Sequence, residues 1–363
     1  MNSSSRIPPL LQPYVKLPRD DSLLLLTSTL GASANWLLIR FLCDALSPPQ
    51  EGGADEGHNV VLVSWMRDYE FWKQEARKGG GLDLERLKRE KRFGFVDGLS
   101  GLVLGEQQPQ TQGQATTAIS QAQPQTQPQT ALPQRTGNIL PVRGPPGRTP
   151  IPTRGPPAPP AQPAHPATSR IAPSTTLQTN ASSVTPGHYT LTSLDLAHLK
   201  STLTTAITSL ASTPQRKTLL VLDTPDLPLA LSSTTPPDLV SLVLTLHNTL
   251  SISHILAHLQ ADTPLLTPSQ PAQPLEIAQY NFLTKMAHMS TRILGTRVLD
   301  TGVARDVSGV VRVTEQRVGW TGLGFEEEDT KLAADDSGEG KEFLYQVKGD
   351  GSVKVFERGA GEG

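Results

Sequence analysis

Chemistry in this chain is first suggested by a place where phosphate could be held. Ser22–Ser28 (Ser-Leu-Leu-Leu-Leu-Thr-Ser) is an apolar run of strand length, Thr29–Asn35 is a short turn of small residues, and Trp36–Leu46 reads as a buried helix. Strand, small-residue turn and helix in this order make the frame of a nucleotide-binding loop. A working loop has the form Gly-x-x-x-x-Gly-Lys-Ser/Thr. Its glycine amides surround the phosphates, its lysine reaches the outer oxygens and its hydroxyl holds magnesium. Here Gly31 stands alone beside Ser33 and Asn35, and no lysine lies between Lys16 and Lys73. The frame is kept without its chemistry, so this degenerate loop is expected to hold no cofactor.

A second fragment of the same chemistry is Arg216–Asp223, a buried-strand run ending in an acid, as on the magnesium side of such sites. Leu/Val runs ending in Asp close many parallel strands, so a core strand with Asp223 capping the next turn is the simpler reading. Asp97 ends the run Arg92–Asp97 in the same way. The two carboxylates could pair, but with no lysine to hold phosphate they are better read as turn caps. Hydrolysis would also want a carboxylate just past the second strand to position water. The nearest acids, Asp68 and Glu70, read as solvated helix charges. Eight histidines are scattered along the chain; His254 and His258 are four apart, but in a strand-like segment without a third ligand. No metal site is expected. Ser28, Ser33 and Ser64 lack a Gly-x-Ser-x-Gly setting, so no catalytic residue is assigned.

The elements that must position these residues alternate. Strand-like runs at His58–Trp65 and Arg92–Asp97 flank helical patterns over Met66–Lys78 and Asp83–Glu90, with Gly79–Gly81 stopping the first helix. Later come a helix over Ser193–Ser212, the Asp223 strand, a helix over Pro236–Ser251, a strand at Ile252–Gln260 and a helix over Leu275–Met289. Thr291–Leu299, Gly309–Gln316, Glu342–Val347 and Gly351–Phe356 read as strands, the last two joined by a hairpin signal at Lys348–Gly351. The pattern predicts an α/β fold. A parallel sheet with flanking helices is extended by C-terminal antiparallel strands, as in RecA-like domains.

A tract interrupts it. Phe95 is followed by no aromatic residue until Tyr189, and Glu106 by no acid until Asp195. Roughly half of the chain's prolines lie in the Gln/Thr/Pro/Ala-rich stretch between. Low hydrophobicity cannot offset chain entropy, so residues 105–187 are expected to be a disordered insertion between two halves of one domain, 1–104 and 188–363. Deleting Gln107–Pro186 should leave that domain folded. The tract holds five arginines and no acids; the net charge of −2 therefore leaves the remainder acidic by about seven charges, which disfavours nucleic acid across its whole surface. One cysteine, Cys43, excludes a disulfide within the chain and fits a reducing compartment. No run is long enough to span a membrane. Trp65, Tyr69 and Trp72 recur at helical spacing. Core packing is the plainer reading, and an interface anchor the sharper one. Trp320 precedes an acidic stretch, Glu326–Asp329, that reads as a solvated loop.

Leu23–Leu46, Val60–Trp65 with the helix after it, Phe93–Ser100 and Lys217–Leu231 together resemble the Elongator complex protein 6 family in a fungal form. The resemblance covers most of residues 15–104 and 188–316; the proline-rich tract departs from it. It implies a RecA-like subunit without a full ATPase motif, set in a hetero-hexameric ring with subunits 4 and 5. That ring serves the catalytic Elongator module in modifying wobble uridines of tRNA. A cytoplasmic place is expected, with the nucleus left open. Two rivals remain: an active RecA-type NTPase, opposed by the missing lysine, and a scaffold whose Pro156–Pro160 segment recruits proline-binding modules.

Overall fold

The computed structural model describes residues 6–47, 57–104, 186–210, 216–267, 269–302, 304–315 and 340–358. In chain order, a short entry (a 3-10 turn at Pro9–Leu11, then α1, Gln12–Val15) leads to β1 (Ser22–Ser28), α2 (Asn35–Leu46), β2 (Asn59–Ser64) and α3 (Tyr69–Glu75). A π turn (Ala76–Gly80) precedes α4 (Leu84–Arg89), β3 (Phe93–Asp97) and α5 (Ser100–Leu104). After the tract come β4 (His188–Thr190), α6 (Leu196–Leu210), β5 (Thr218–Asp223), α7 (Leu227–Leu231), α8 (Pro236–His247) and β6 (Ile252–Gln260). The chain closes with α9 (Thr263–Leu266), α10 (Pro274–Met289), β7 (Arg292–Arg297), β8 (Gly309–Glu315), β9 (Lys341–Val347) and β10 (Val353–Glu357).

All ten strands form one sheet in the order β10-β9-β8-β7-β1-β6-β5-β2-β3-β4. From β7 to β4 every pairing is parallel; β7, β8, β9 and β10 are joined antiparallel. This is the parallel sheet with an antiparallel extension that the alternation predicted. β4, from beyond the tract, pairs with β3 from before it, so both parts of the chain build the same sheet.

Side chains leave a strand on alternate faces, and here both faces are covered, so the central strands are apolar throughout. Leu24, Leu26, Val60, Leu62, Phe93, Phe95, Val221 and Leu256 pack under α2, α3 and α4. Leu23, Leu25, Val61, Val63, Val96, Leu222 and Ile255 pack under α6, α8 and α10. Each large side chain so buried contributes about 1.5–3 kcal/mol. One buried cation ties distant pieces together. Arg40, inside α2, donates to the carbonyls of Gly79 in the π turn and Gly351 in the β9–β10 turn.

Boundaries move where caps decide them. The helix expected from Met66 starts at Tyr69, because the Asp68 carboxylate accepts the Phe71 amide at 2.8 Å and sets the N-terminus. The helix expected to reach Ser251 ends at His247, with Asn248 as C-cap. β4, α1, α5 and α9 were not anticipated. They are three to five residues long, too short to leave a periodic signal. Residues 105–185 lie outside the described residues, as do Trp320 and Glu326–Asp329.

Candidate functional site

In parallel α/β sheets ligands bind beyond the C-terminal ends of the strands. Here the register aligns those ends. His258 of β6 pairs with Asp223 of β5, Asp223 with Ser64 of β2, and Ser64 with Asp97 of β3. Ser28 of β1 lies two residues further along, opposite Gln260. All point to the face of the sheet covered by α2 and α3, and all are almost fully buried. The row beneath is Leu256, Val221, Leu62 and Phe95, so a polar layer caps an apolar one.

Hydrogen bonds join most of this layer. The Ser28 hydroxyl lies 2.9 Å from His258 Nε2 and 3.2 Å from Gln260 Oε1. His258 Nδ1–H donates to Asp223 Oδ1 at 2.8 Å. Asp223 Oδ2 accepts from the Ser64 hydroxyl at 2.7 Å and meets the Arg67 guanidinium at 3.5 Å. Burial alone would raise the Asp223 carboxyl. His258, Ser64 and Arg67 outweigh it and hold the group below the usual carboxylate range. Nearby, Asp226 is pushed upward by burial, although Gln279 donates to one of its oxygens.

Serine, histidine and aspartate at these distances have the connectivity of a nucleophilic relay. Their access does not. Ser28 is 2% exposed and ends a regular strand, with no elbow to lift its hydroxyl toward a substrate. A depression of about 660 Å³ opens past the ends of β3, β4 and β5, between Leu102, Ser193, Asp195, Leu231 and Thr234, and Ser28, His258 and Asp223 do not line it. The relay is an internal strut.

The loop after β1 is equally self-contained. Thr29 and Ala32 bridge to make a tight turn, and Gly31 takes φ +86°, a value that costs glycine nothing. The Thr29 amide donates to the Thr296 carbonyl, Ala32 to Thr29, and Asn35 to the Ser33 hydroxyl. The Leu30 amide donates to Asp262 Oδ1 at 2.6 Å. Four amides of this turn, those of Thr29, Leu30, Ala32 and Asn35, are thus committed to protein acceptors. One of those acceptors is a carboxylate, whose charge would repel phosphate.

The rim outside this layer mixes apolar side chains with polar ones such as Ser33, Arg67, Asp68 and Asp262. Taking neighbouring strands in order from β7 to β2, each is followed by an exposed apolar side chain: Val298, Leu30, Leu266, Leu231 and Met66.

The other candidate residues fall as follows. Asp97 caps a turn, as expected, accepting the amides of Leu99 and Ser100. Asp223 does not cap a turn. That expectation is corrected, because its carboxylate turns inward to His258 and Ser64. Asp97 and Asp223 are not a direct pair, since Ser64 stands between them. Asp68 caps α3 and Glu70 pairs with Lys73. Among the described residues no cluster of three or more His, Cys, Asp or Glu could hold a metal ion.

The proposed interface at Trp65, Tyr69 and Trp72 is also corrected, since the three are 1%, 7% and 0% exposed. They do not form one stripe. Trp65 ends the β2 extension and packs in the α6/α8 core against Gly98, where a Cβ would meet its ring at 2.7 Å. Tyr69 and Trp72 lie in the core on the other face. The Tyr69 ring meets Phe95 at a tilt and His188 edge-on, with the Lys88 ammonium 4.2 Å from its centre, and burial pushes its hydroxyl upward.

No family model matches the chain, and no curated protein matches it. Solved structures that match in shape include an uncharacterized protein from Pyrococcus horikoshii in complex with an unknown peptide. It is 9% identical over 98% of this chain and 100% of that one, with a TM-score of 0.49. Among the described residues no helix is long and apolar enough to cross a membrane.

Sequence reading weighed Ser28, Ser64 and His258 only as nucleophiles or metal ligands and set them aside, and it missed Arg67 and Asp262. The signal for three of them was present: apolar strand runs that reach a polar residue at or near the C-terminal end (Ser28, Ser64, His258), as Asp97 and Asp223 also do. Asp262 left none, being 232 residues from the amide it accepts.

Proposed function

We propose that this chain is a non-catalytic RecA-like subunit of the Elongator complex. In this reading it completes a hetero-hexameric ring with subunits 4 and 5 and supports wobble-uridine modification of tRNA by the separate catalytic module. The non-catalytic half rests on one observation. The turn that should receive phosphate holds the Asp262 carboxylate on its Leu30 amide, where it would repel a phosphate, and the amides of Thr29, Ala32 and Asn35 also have protein acceptors. The buried Ser28–His258–Asp223 strut supports it, since its polar atoms are spent on one another. The Elongator half rests on the resemblance carried by Leu23–Leu46, Val60–Trp65, Phe93–Ser100 and Lys217–Leu231. A cytoplasmic place goes with it.

Titration calorimetry with magnesium-ATP tests the first half; no binding at micromolar concentration is expected, and such binding would revive the NTPase reading. Co-expression with subunits 4 and 5, followed by size-exclusion chromatography with light scattering, tests the second. A well-behaved monomer that ignores both partners would remove the Elongator assignment.

A further inference from the structure

The outer surface of α6, α8 and α10 is unusual for a wet helical layer. These three helices hold 43 residues, of which four are Asp, Glu, Lys or Arg: Lys200, Asp238, Glu276 and Lys285. Two of the four are already used. Asp238 accepts from the backbone and hydroxyl of Thr235, and Glu276 from Ser269 and Gln273. Lys200 and Lys285 have no ion-pair partner among the described residues.

The remaining outward positions are less polar than their names imply. Thr204, Thr205 and Thr208 on α6 and Thr245 on α8 donate their hydroxyl protons to carbonyls of their own helices. A donor satisfied within the helix loses little when water is removed. Between α8 and α10 runs a groove of about 450 Å³, lined by Pro237, Val240, Leu244 and Met289 with Lys285 and His288 at its side. Leu244, Ile277 and Tyr280 are 42%, 45% and 40% exposed.

We propose that this face docks another folded protein, a subunit different from this chain. Its contact surface would be apolar, with one side chain seated in the α8–α10 groove and carboxylates placed for Lys285 and Lys200. Size agrees. Three helices of this length at ordinary spacing offer a face on the order of 600 Å², near the ~800 Å² that one partner gives a standard interface. Charge argues against a second copy, which would bring lysines to lysines and whose two face acids are held as caps. Naming the partner as a neighbouring ring subunit rests on the function proposed above.

The test uses the full chain co-expressed with Elongator subunits 4 and 5. Leu244→Glu should weaken assembly at least tenfold. Lys285→Glu should weaken it less and remove part of its salt dependence. Arg77→Glu, on the opposite face, should have no effect. Melting temperatures of the isolated variants should match that of the original chain, which separates docking from folding. Equal assembly by all variants would overturn the docking face and leave the Elongator reading standing. If the original chain binds neither subunit, the Elongator reading falls and the proposed partner with it. Self-association lost in Leu244→Glu would then name a second copy as the occupant, while a monomer at high concentration would reject the face altogether.

Discussion

The two helical layers on this sheet bury similar cores and present opposite surfaces. α2, α3, the π turn and α4 hold eleven Asp, Glu, Lys or Arg in 30 residues, against four in the 43 residues of α6, α8 and α10. On the first layer the charges interlock: Lys73 with Glu70 and Glu85, Lys88 with Glu85, Arg86 with Glu90. On the second, threonine and serine take their places. Exposed ion pairs add little stability, so the difference does not concern how firmly each layer is held. It concerns what each layer faces. A charged surface stays in water, and a charge-poor one can give water up at low cost.

The strand ends complete the contrast. Ser28, His258, Asp223 and Ser64 all lie on the charged layer's side, where an α/β protein would place ligand chemistry, yet they bond to one another. The strand-end residues on the charged side form a strut, and the charge-poor side is the face proposed above to meet a partner.

The largest expected effect tests whether the layers are equal as cores. Trp72 of the first and Phe282 of the second are both 0% exposed. Alanine at either should cost about 3–5 kcal/mol in urea unfolding. A loss under about 1 kcal/mol at Phe282 would mean that α10 is not part of the core and would break the comparison.

Next is the strut. Asp223→Ala leaves His258 and Ser64 without their acceptor and Arg67 without its charge partner, at a cost of about 3 kcal/mol. Asp97→Ala removes one turn cap and should cost about 1 kcal/mol. If the two losses are equal, the polar layer is no network.

A pH effect follows from the same side of the sheet. His254, 2% exposed, has its imidazole lowered to about 4 by burial and by His58, whose ring is 5.5 Å away. The unfolded chain therefore binds a proton that the folded chain refuses between pH 6.5 and 4. Stability is full above the unfolded value and falls as pH drops through that window, by at most about 3 kcal/mol. Unfolding midpoints of the original chain and of His254→Gln across this range would isolate the term. Parallel slopes for the two would exclude it.

How much of this was legible depended on range. β1, β2, β5 and β6 announced themselves because both of their faces are buried and their runs are continuous. The hairpin at Lys348–Gly351 did so through its turn residues. The polar layer could not be read, since adjacency of His258, Asp223, Ser64 and Asp97 is a property of strand order, and β5 and β6 reach β2 and β1 only by crossing the sheet. The Trp65, Tyr69 and Trp72 spacing misled for a local reason. Asp68 caps the helix between the first residue and the other two, which sends Trp65 to one core and its companions to the other.

The smallest effect is expected where charge is densest. Arg86 and Glu90 face each other at 3.4 Å, one turn apart on α4, with side chains 63% and 45% exposed. Arg86→Gln keeps the helix propensity and removes the pair, so stability should change by no more than about 0.5 kcal/mol. The informative readout is solubility. Replacing several such charges on α3 and α4 with glutamine should promote precipitation of the isolated chain while hardly moving its urea midpoint. If instead the single change costs more than about 1 kcal/mol, the charges of this layer hold the fold together, and the contrast between a wet face and a docking face loses its physical basis.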